Sequence, residues 1–243
     1  MKKAIIIGAS SGIGREVASD FIRKGWRVGL IARRGALLAD LRSIATERVS
    51  IVSCDINSDK ADDKLFSLIE ELGGLDLYFH AAGIGRQNPL LDAQIEKDTL
   101  ATNVLGFSRM IGLVFRYMAD HGGGHIAVIS SIAGVKGLAP APSYSASKAF
   151  QSIYVQALEQ LSVSRQLCIR FTDIRPGFVD TPLIAGSDFP MKMSSKVVAR
   201  KIIDAIEKQK HVVIIDWRYR LLVFVWRLFP NCLWRRLPLR ARR

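Results

Sequence analysis

Tyr144 and Lys148 stand four residues apart in Ser143-Tyr144-Ser145-Ala146-Ser147-Lys148, so on a helix they share one face. A phenol is a competent acid, but an ordinary pKa of about 10 makes it a slow base at neutral pH. A nearby ammonium favours the phenolate and brings that pKa down. Ser131 closes the run Ile129-Ser130-Ser131, thirteen residues ahead of Tyr144. A hydroxyl there can donate to an oxygen on which charge develops. Together the three groups suit a proton moving to or from an oxygen while the attached carbon gains or loses a hydride. The Tyr-x-x-x-Lys pair alone is common. A serine ahead of it, at the end of a strand-like run, makes the set specific.

A second pattern lies at the start of the chain. Lys3 to Ile7 read as a strand, then Gly8-Ala9-Ser10-Ser11-Gly12-Ile13-Gly14 opens a helix. Glycines let the backbone turn tightly and approach a pyrophosphate, and the helix N-terminus offers free N–H groups with partial positive charge. A glycine-rich turn between a first strand and a first helix is the context a dinucleotide site requires. The second strand ends Leu30-Ile31-Ala32-Arg33-Arg34. An acidic residue there would suit the ribose hydroxyls of NAD, whereas arginine suits the 2′-phosphate of NADP. Arg33 and Arg34 therefore favour NADP(H).

With Gly-x-x-x-Gly-x-Gly, Ser131, Tyr144 and Lys148 in place, the sequence resembles the short-chain dehydrogenase/reductase family over about residues 3–215. The resemblance implies that Gly8, Ser10, Ser11, Gly12, Ile13 and Gly14 hold the pyrophosphate side of the cofactor. It gives Asp55, with Ile56 beside it, to the adenine. It sets Ala82 and Gly83 of His80-Ala81-Ala82-Gly83 along the cofactor, although His80 and Ala81 depart from the family's usual asparagines. Ile7 departs from the usual threonine. Asn103 matches an asparagine that helps hold a water relay behind the lysine. Lys148 would also hold the nicotinamide ribose beside Tyr144. The segment Pro176-Gly177-Phe178-Val179-Asp180-Thr181 would face the nicotinamide, with Pro176, Gly177, Val179 and Thr181 as contacts. Ser131, rather than Ser130, carries the family's spacing. The expected activity is carbonyl reduction or the reverse alcohol oxidation. The alternative, a sensor or scaffold that binds NADP without turnover, sits poorly with Asn103, Ser131, Tyr144 and Lys148 all being present.

These residues need elements to position them. Short apolar runs at about 3–8, 27–32, 49–54, 75–80, 125–130, 167–174 and 211–215 alternate with longer polar segments. That is the βαβ pattern of a parallel sheet covered on both faces. Helices are expected at 12–24, 36–47, 60–72, 94–120, 143–163 and 194–209. The fold class is α/β, a doubly wound, mostly parallel, Rossmann-like sheet in one catalytic domain, 1–216, with an amphipathic tail, 217–243. Gly8 and Gly83 should then face each other across one crevice.

Composition sets the outer limits. Of 243 residues, 49% are hydrophobic, enough for a sizeable core and against disorder. Three distant cysteines suggest no disulfide framework and fit a reducing cytoplasm. Gly8 ends the first apolar run too early for a signal peptide, and no run reaches the length of a spanning helix. His121-Gly122-Gly123-Gly124-His125 looks like a metal pair, but no Asp, Glu or Cys joins it, so no metal is expected. Residues 183–193 should cover a hydrophobic ketone or secondary alcohol, with Met191 and Met193 lining a pocket or filling gaps.

The formal charge is +13, and residues 211–243 hold eight arginines against one acid, Asp216. No nucleic-acid module accompanies the tail, so nucleic acid is not expected. Trp217, Leu221, Phe224, Val225 and Leu228 recur at helical spacing with Arg218, Arg220 and Arg227 beside them. Past Pro230, Cys232, Leu233, Trp234 and Leu237 stand among Arg235, Arg236, Arg240, Arg242 and Arg243. Such a helix suits an anionic membrane surface, and the alternative is packing on the body or a neighbouring subunit. A cytoplasmic enzyme attached peripherally to a membrane is the expectation. The resemblance also implies a dimer or tetramer, formed through the helices at 94–120 and 143–163. Leu105, Phe107, Met110, Ile111, Val114, Phe115, Phe150, Ile153, Tyr154, Ala157 and Leu161 supply apolar surface there.

Overall fold

In the computed structural model, residues 1–186 and 188–239 are described. Arg240, Arg242 and Arg243, named above, and Ser187 within the segment 183–193 lie outside the described residues. Six short, mainly apolar runs form β1 (Lys3–Ile7), β2 (Arg27–Ala32), β3 (Val49–Ser53), β4 (Leu77–His80), β5 (Gly124–Ile129) and β6 (Ile169–Arg175). β7 (Val179–Asp180) and β8 (Met193–Ser194) pair apart from them, and β9 (Val212–Ile214) completes the main sheet. The sheet order is β3-β2-β1-β4-β5-β6-β9, with every pairing parallel. The order reverses between β1 and β4, so a crevice opens at their carboxyl ends, where a doubly wound sheet binds its ligand.

The helices are α1 (Gly12–Arg23), α2 (Gly35–Arg42), α3 (Ala61–Leu72), α4 (Ala93–Leu100), α5 (Phe107–Asp120), α6 (Pro142–Ser164), α7 (Ser195–Glu207), α8 (Trp217–Leu228) and α9 (Asn231–Trp234). Alternation along β1 sorts them into two layers. Ala4 and Ile6 join a core with Phe21, Ile202 and Tyr219, from α1, α7 and α8. Ile5 and Ile7 join the opposite core with Leu65, Phe107 and Val155, from α3, α5 and α6. Among the described residues no helix is long and apolar enough to cross a membrane.

Four expectations change. The helix expected at 94–120 is three pieces, because residues 101–106 widen into a π-turn between α4 and α5. α2 ends at Arg42 rather than 47, where Ile44 and Ala45 bond back to Leu41 and Arg42 in a tighter turn. Phe107, Met110, Ile111, Val114 and Phe115 are spent in the chain's own core, leaving only Leu105 of that group strongly exposed. Gly8 does not face Gly83 but its neighbours: a Cβ on Gly8 would lie 2.6 Å from the Ala82 nitrogen.

Candidate active site

The glycine turn is shaped by close approach. Gly8 has φ +83°, and a Cβ on Gly14 would meet the Gly8 carbonyl oxygen at 2.4 Å. Gly12 has φ +55°, with Thr181 Cγ2 3.0 Å from where its Cβ would stand. Thr181 is thereby brought over the turn that opens α1. The fit to a dinucleotide rests on this bare backbone: side chains at Gly8 or Gly14 would fill the approach a pyrophosphate needs.

Arg34 reaches back into the same turn. Its Nη2 donates to Ser10 Oγ at 2.9 Å and to Ser11 Oγ at 2.7 Å. Arg33 is mostly exposed and pairs with Asp55 at 3.7 Å. The other carboxylate oxygen of Asp55 accepts from Asn57 N at 2.9 Å. Ile56 is buried beside it. The two arginines thus divide: Arg34 gathers the serines, and Arg33 sits with the acid given to the adenine.

Further along the crevice, Ser131 caps the short 3₁₀ turn after β5, its Oγ accepting from Ala133 N at 3.1 Å. Burial raises the Tyr144 pKa, and the nearby Ser131 hydroxyl works the other way. Ser130 points elsewhere, into a buried hydrogen bond with Asp173. Lys148 Nζ lies 5.7 Å from the centre of the Tyr144 ring. It donates to Ile129 O and to Gln151 Oε1, both at 2.9 Å. Burial drives its pKa down to about 8, and Asp173 partly offsets this.

The π-turn carries Asn103, which is wholly buried. Its Nδ2 donates to Ile84 O at 2.7 Å and to Ser147 Oγ at 3.1 Å, and its Oδ1 accepts from Ile84 N at 2.9 Å. These bonds pin the loop after β4 beside α6. A Cβ on Gly83 would sit 3.3 Å from Asn103 Oδ1 and 3.5 Å from Lys148 Nζ. π-turns recur at functional sites because they re-aim side chains that a regular helix would turn away.

Two further residues, Tyr219 of α8 and Gly85 of the loop after β4, brace the crevice, and neither was legible in the motifs. A Cβ on Gly85 would strike the Tyr144 ring at 2.6 Å, so only glycine lets the loop lie against the phenol. Tyr219 of α8 is fully buried, with its ring on Gly177. Its hydroxyl accepts from Phe178 N at 3.1 Å and donates to Met191 O at 3.0 Å. Pro176 O lies 3.5 Å from Ser131 Oγ, which donates to it. Val179 pairs with Met193 in β7–β8, so Met193 is core, while Met191 is exposed. Phe189 stacks on Phe178 at 4.2 Å. The histidine pair of 121–125 splits: His121 stacks on Tyr117, and His125 bonds to Thr172 Oγ1. Among the described residues no three metal-ligating groups gather.

The family model for short chain dehydrogenases matches residues 2–188. The chain belongs to that family. This short-chain dehydrogenase is an oxidoreductase, and its family works with a nicotinamide cofactor on small molecules. It is 37% identical over 197 residues to an oxidoreductase of Myxococcus xanthus, covering 78% of this chain and 77% of that protein. It is 34% identical over 187 residues to carbonyl reductase family member 4 of Danio rerio, covering 75% and 78%. A short-chain dehydrogenase from Streptomyces avermitilis shares the fold with TM-score 0.81 at 21% identity, covering 93% of this chain and 92% of that one. A putative short-chain alcohol dehydrogenase from Sinorhizobium meliloti does so with TM-score 0.79 at 24% identity, covering 90% and 96%.

Proposed function

We propose that this short-chain dehydrogenase uses NADP(H) to interconvert a hydrophobic ketone and its secondary alcohol, with Tyr144 as the acid and base. The observation that carries the reading is Tyr144 with the Lys148 ammonium 5.7 Å from its ring centre and Ser131 near enough to draw the phenol's pKa down. The cofactor, when bound, supplies or takes the hydride. Tyr144 delivers the proton to the carbonyl oxygen during reduction and removes it during oxidation. Ser131 donates to that oxygen as its charge grows. Lys148 keeps a positive charge near the phenolate and has an N–H left for the ribose, since two of its three donors are used. Asn103 fixes the loop that carries Gly83 and Ile84.

The preference for NADP(H) is supported by Arg34 with Ser10 and Ser11, a cluster of donors at the end of β2 where a 2′-phosphate would lie. The relative named a carbonyl reductase supports the direction of chemistry. The deciding experiment is a spectrophotometric screen of NADPH and NADH oxidation over a panel of apolar ketones. Turnover with NADPH is expected, and equal or better turnover with NADH would overturn the cofactor assignment.

The body, 1–216, is proposed as the catalytic unit of a cytoplasmic enzyme and the tail, 217–243, as its attachment to an anionic membrane surface. α8 buries Tyr219 and Val223 in the core but leaves Trp217 70%, Phe224 60% and Leu228 68% exposed, with Leu221 and Val225 between them. Arginines 218, 220, 227, 235 and 236 accompany that stripe. Each basic residue near an anionic surface contributes about 1 kcal/mol. Because Tyr219 is core, deleting the tail would damage the fold. Changing Leu221, Phe224 and Leu228 to Ser leaves the buried face intact. The triple variant should lose salt-sensitive flotation with phosphatidylglycerol vesicles. Equal flotation of both proteins would refute the attachment. A dimer or tetramer is also proposed, through Ile153, Ala157 and Leu161, which share one exposed face of α6.

A further inference from the structure

Gln151 carries no role in the chemistry described so far, yet it is wholly buried beside the lysine. It stands three residues after Lys148 on α6, the spacing at which helical side chains touch. Its Oε1 accepts from Lys148 Nζ at 2.9 Å, and its Nε2 donates to the Asn103 carbonyl at 3.0 Å. The orientation of the amide is fixed by its partners. An ammonium has only donors and a carbonyl only lone pairs, so the reverse placement would set donor against donor and acceptor against acceptor. The side chain therefore joins α6 to the π-turn through its two ends.

We infer that Gln151 is a positioning residue that keeps Lys148 charged and holds it against the cofactor crevice by tying it to the Asn103 carbonyl. A hydrogen bond to the charged form of a group favours that form. The need is plain from the surroundings. Burial pushes the Lys148 pKa down to about 8. Asp173 of β6 is the charged group that opposes this, and its carboxylate is already held by Arg175 at 2.7 Å. His80 of β4 faces the same lysine but burial holds it neutral, with its pKa at about 3. Tyr144 on α6 is the remaining titratable neighbour. The Gln151 carbonyl is thus a neutral acceptor that steadies the ammonium without cancelling the charge Tyr144 requires.

The inference rests on the assignment of Lys148 to the nicotinamide ribose, and the test separates the two. NADPH binding is followed by nicotinamide fluorescence from pH 6 to 10 in four proteins: wild type, Lys148→Met, Gln151→Leu and Gln151→Glu. Wild-type affinity should hold below about pH 8 and fall above it as the lysine loses its proton. Lys148→Met should bind weakly with no such fall. Gln151→Leu should move the fall down by about one pH unit, the size of one hydrogen bond to a charged group. Gln151→Glu, which offers the ammonium a carboxylate, should move it up. Should both Gln151 variants break at the wild-type pH while Lys148→Met is flat, Gln151 is packing alone and the inference fails. Should Lys148→Met keep the wild-type fall, the ribose assignment fails and takes this inference with it. Near-ultraviolet circular dichroism of each variant establishes that it is folded, and the Glu variant decides the matter should Leu not fold.

Discussion

At the scale of single residues, the site is a set of polar groups taken out of water and given few partners. Tyr144 is pushed up by burial and eased by Ser131, so its acid form predominates near neutrality. Reduction uses that acid, so the rate of ketone reduction should fall as pH rises. Oxidation uses the phenolate, so it should rise over the same range, and paired pH–rate profiles check the opposite slopes. Tyr144→Phe keeps the ring and removes the proton; turnover should drop by about 10²–10⁴-fold. NADPH binding by the same variant, measured by fluorescence, should persist. Arg34 should matter to the cofactor rather than to the chemistry. Arg34→Asp puts like charge where a 2′-phosphate would lie, and should weaken NADPH by about tenfold or more while sparing NADH. Calorimetric titration with both cofactors measures this.

Elements bring these residues within reach of each other, and two of them work by lacking side chains or by breaking regularity. The loop after β4 lies against Tyr144 only because residue 85 is glycine. Gly85→Ala should displace the phenol and cost about 10²-fold in turnover, the scale of a 1 Å misplacement. Its melting temperature should stay near that of the wild type. The π-turn at 101–106 directs Asn103 inward, where a regular helix over 94–120 would have carried on past it. α8 ties Phe178 to Met191 through the one hydroxyl of Tyr219. Tyr219→Phe removes a bond from Phe178 N and one to Met191 O, and should cost about 1 kcal/mol per bond in urea unfolding.

For the whole molecule, the two-layer core leaves titratable groups deep in the sheet. His80 and His125 are held neutral by burial, at about 3 and about 4 respectively. Their unfolded forms take up a proton near 6.5, so the unfolded state binds more protons as pH falls below that value. Stability is therefore complete above about pH 6.5 and is lost progressively toward pH 4 and below. His80→Asn should flatten that loss, seen as a smaller shift of the urea midpoint between pH 7 and 4. Association belongs to this scale too. Ile153→Arg on the exposed face of α6 should reduce the sedimenting species to monomer, and a wild type that is monomeric at micromolar concentration would remove the interface.

Much was legible in the sequence because it depends on local rules. The glycine turn, the strand and helix alternation, and the four-residue step from Tyr144 to Lys148 follow from backbone sterics and helical period, which neighbours in sequence dictate. The doubly wound, parallel class followed from the same alternation, since right-handed crossovers leave few topologies. Tertiary structure alone decided what depends on which distant atoms meet. It put the Tyr219 ring on Gly177, 42 positions earlier in the chain. It consumed the apolar face of α5 in the chain's own core and left that of α8 in solvent. It set Gln151 between Lys148 and Asn103, where a buried amide satisfies two groups from different elements. Such contacts have no period and no motif; they arise where the packing of two layers leaves buried polar atoms that must find partners.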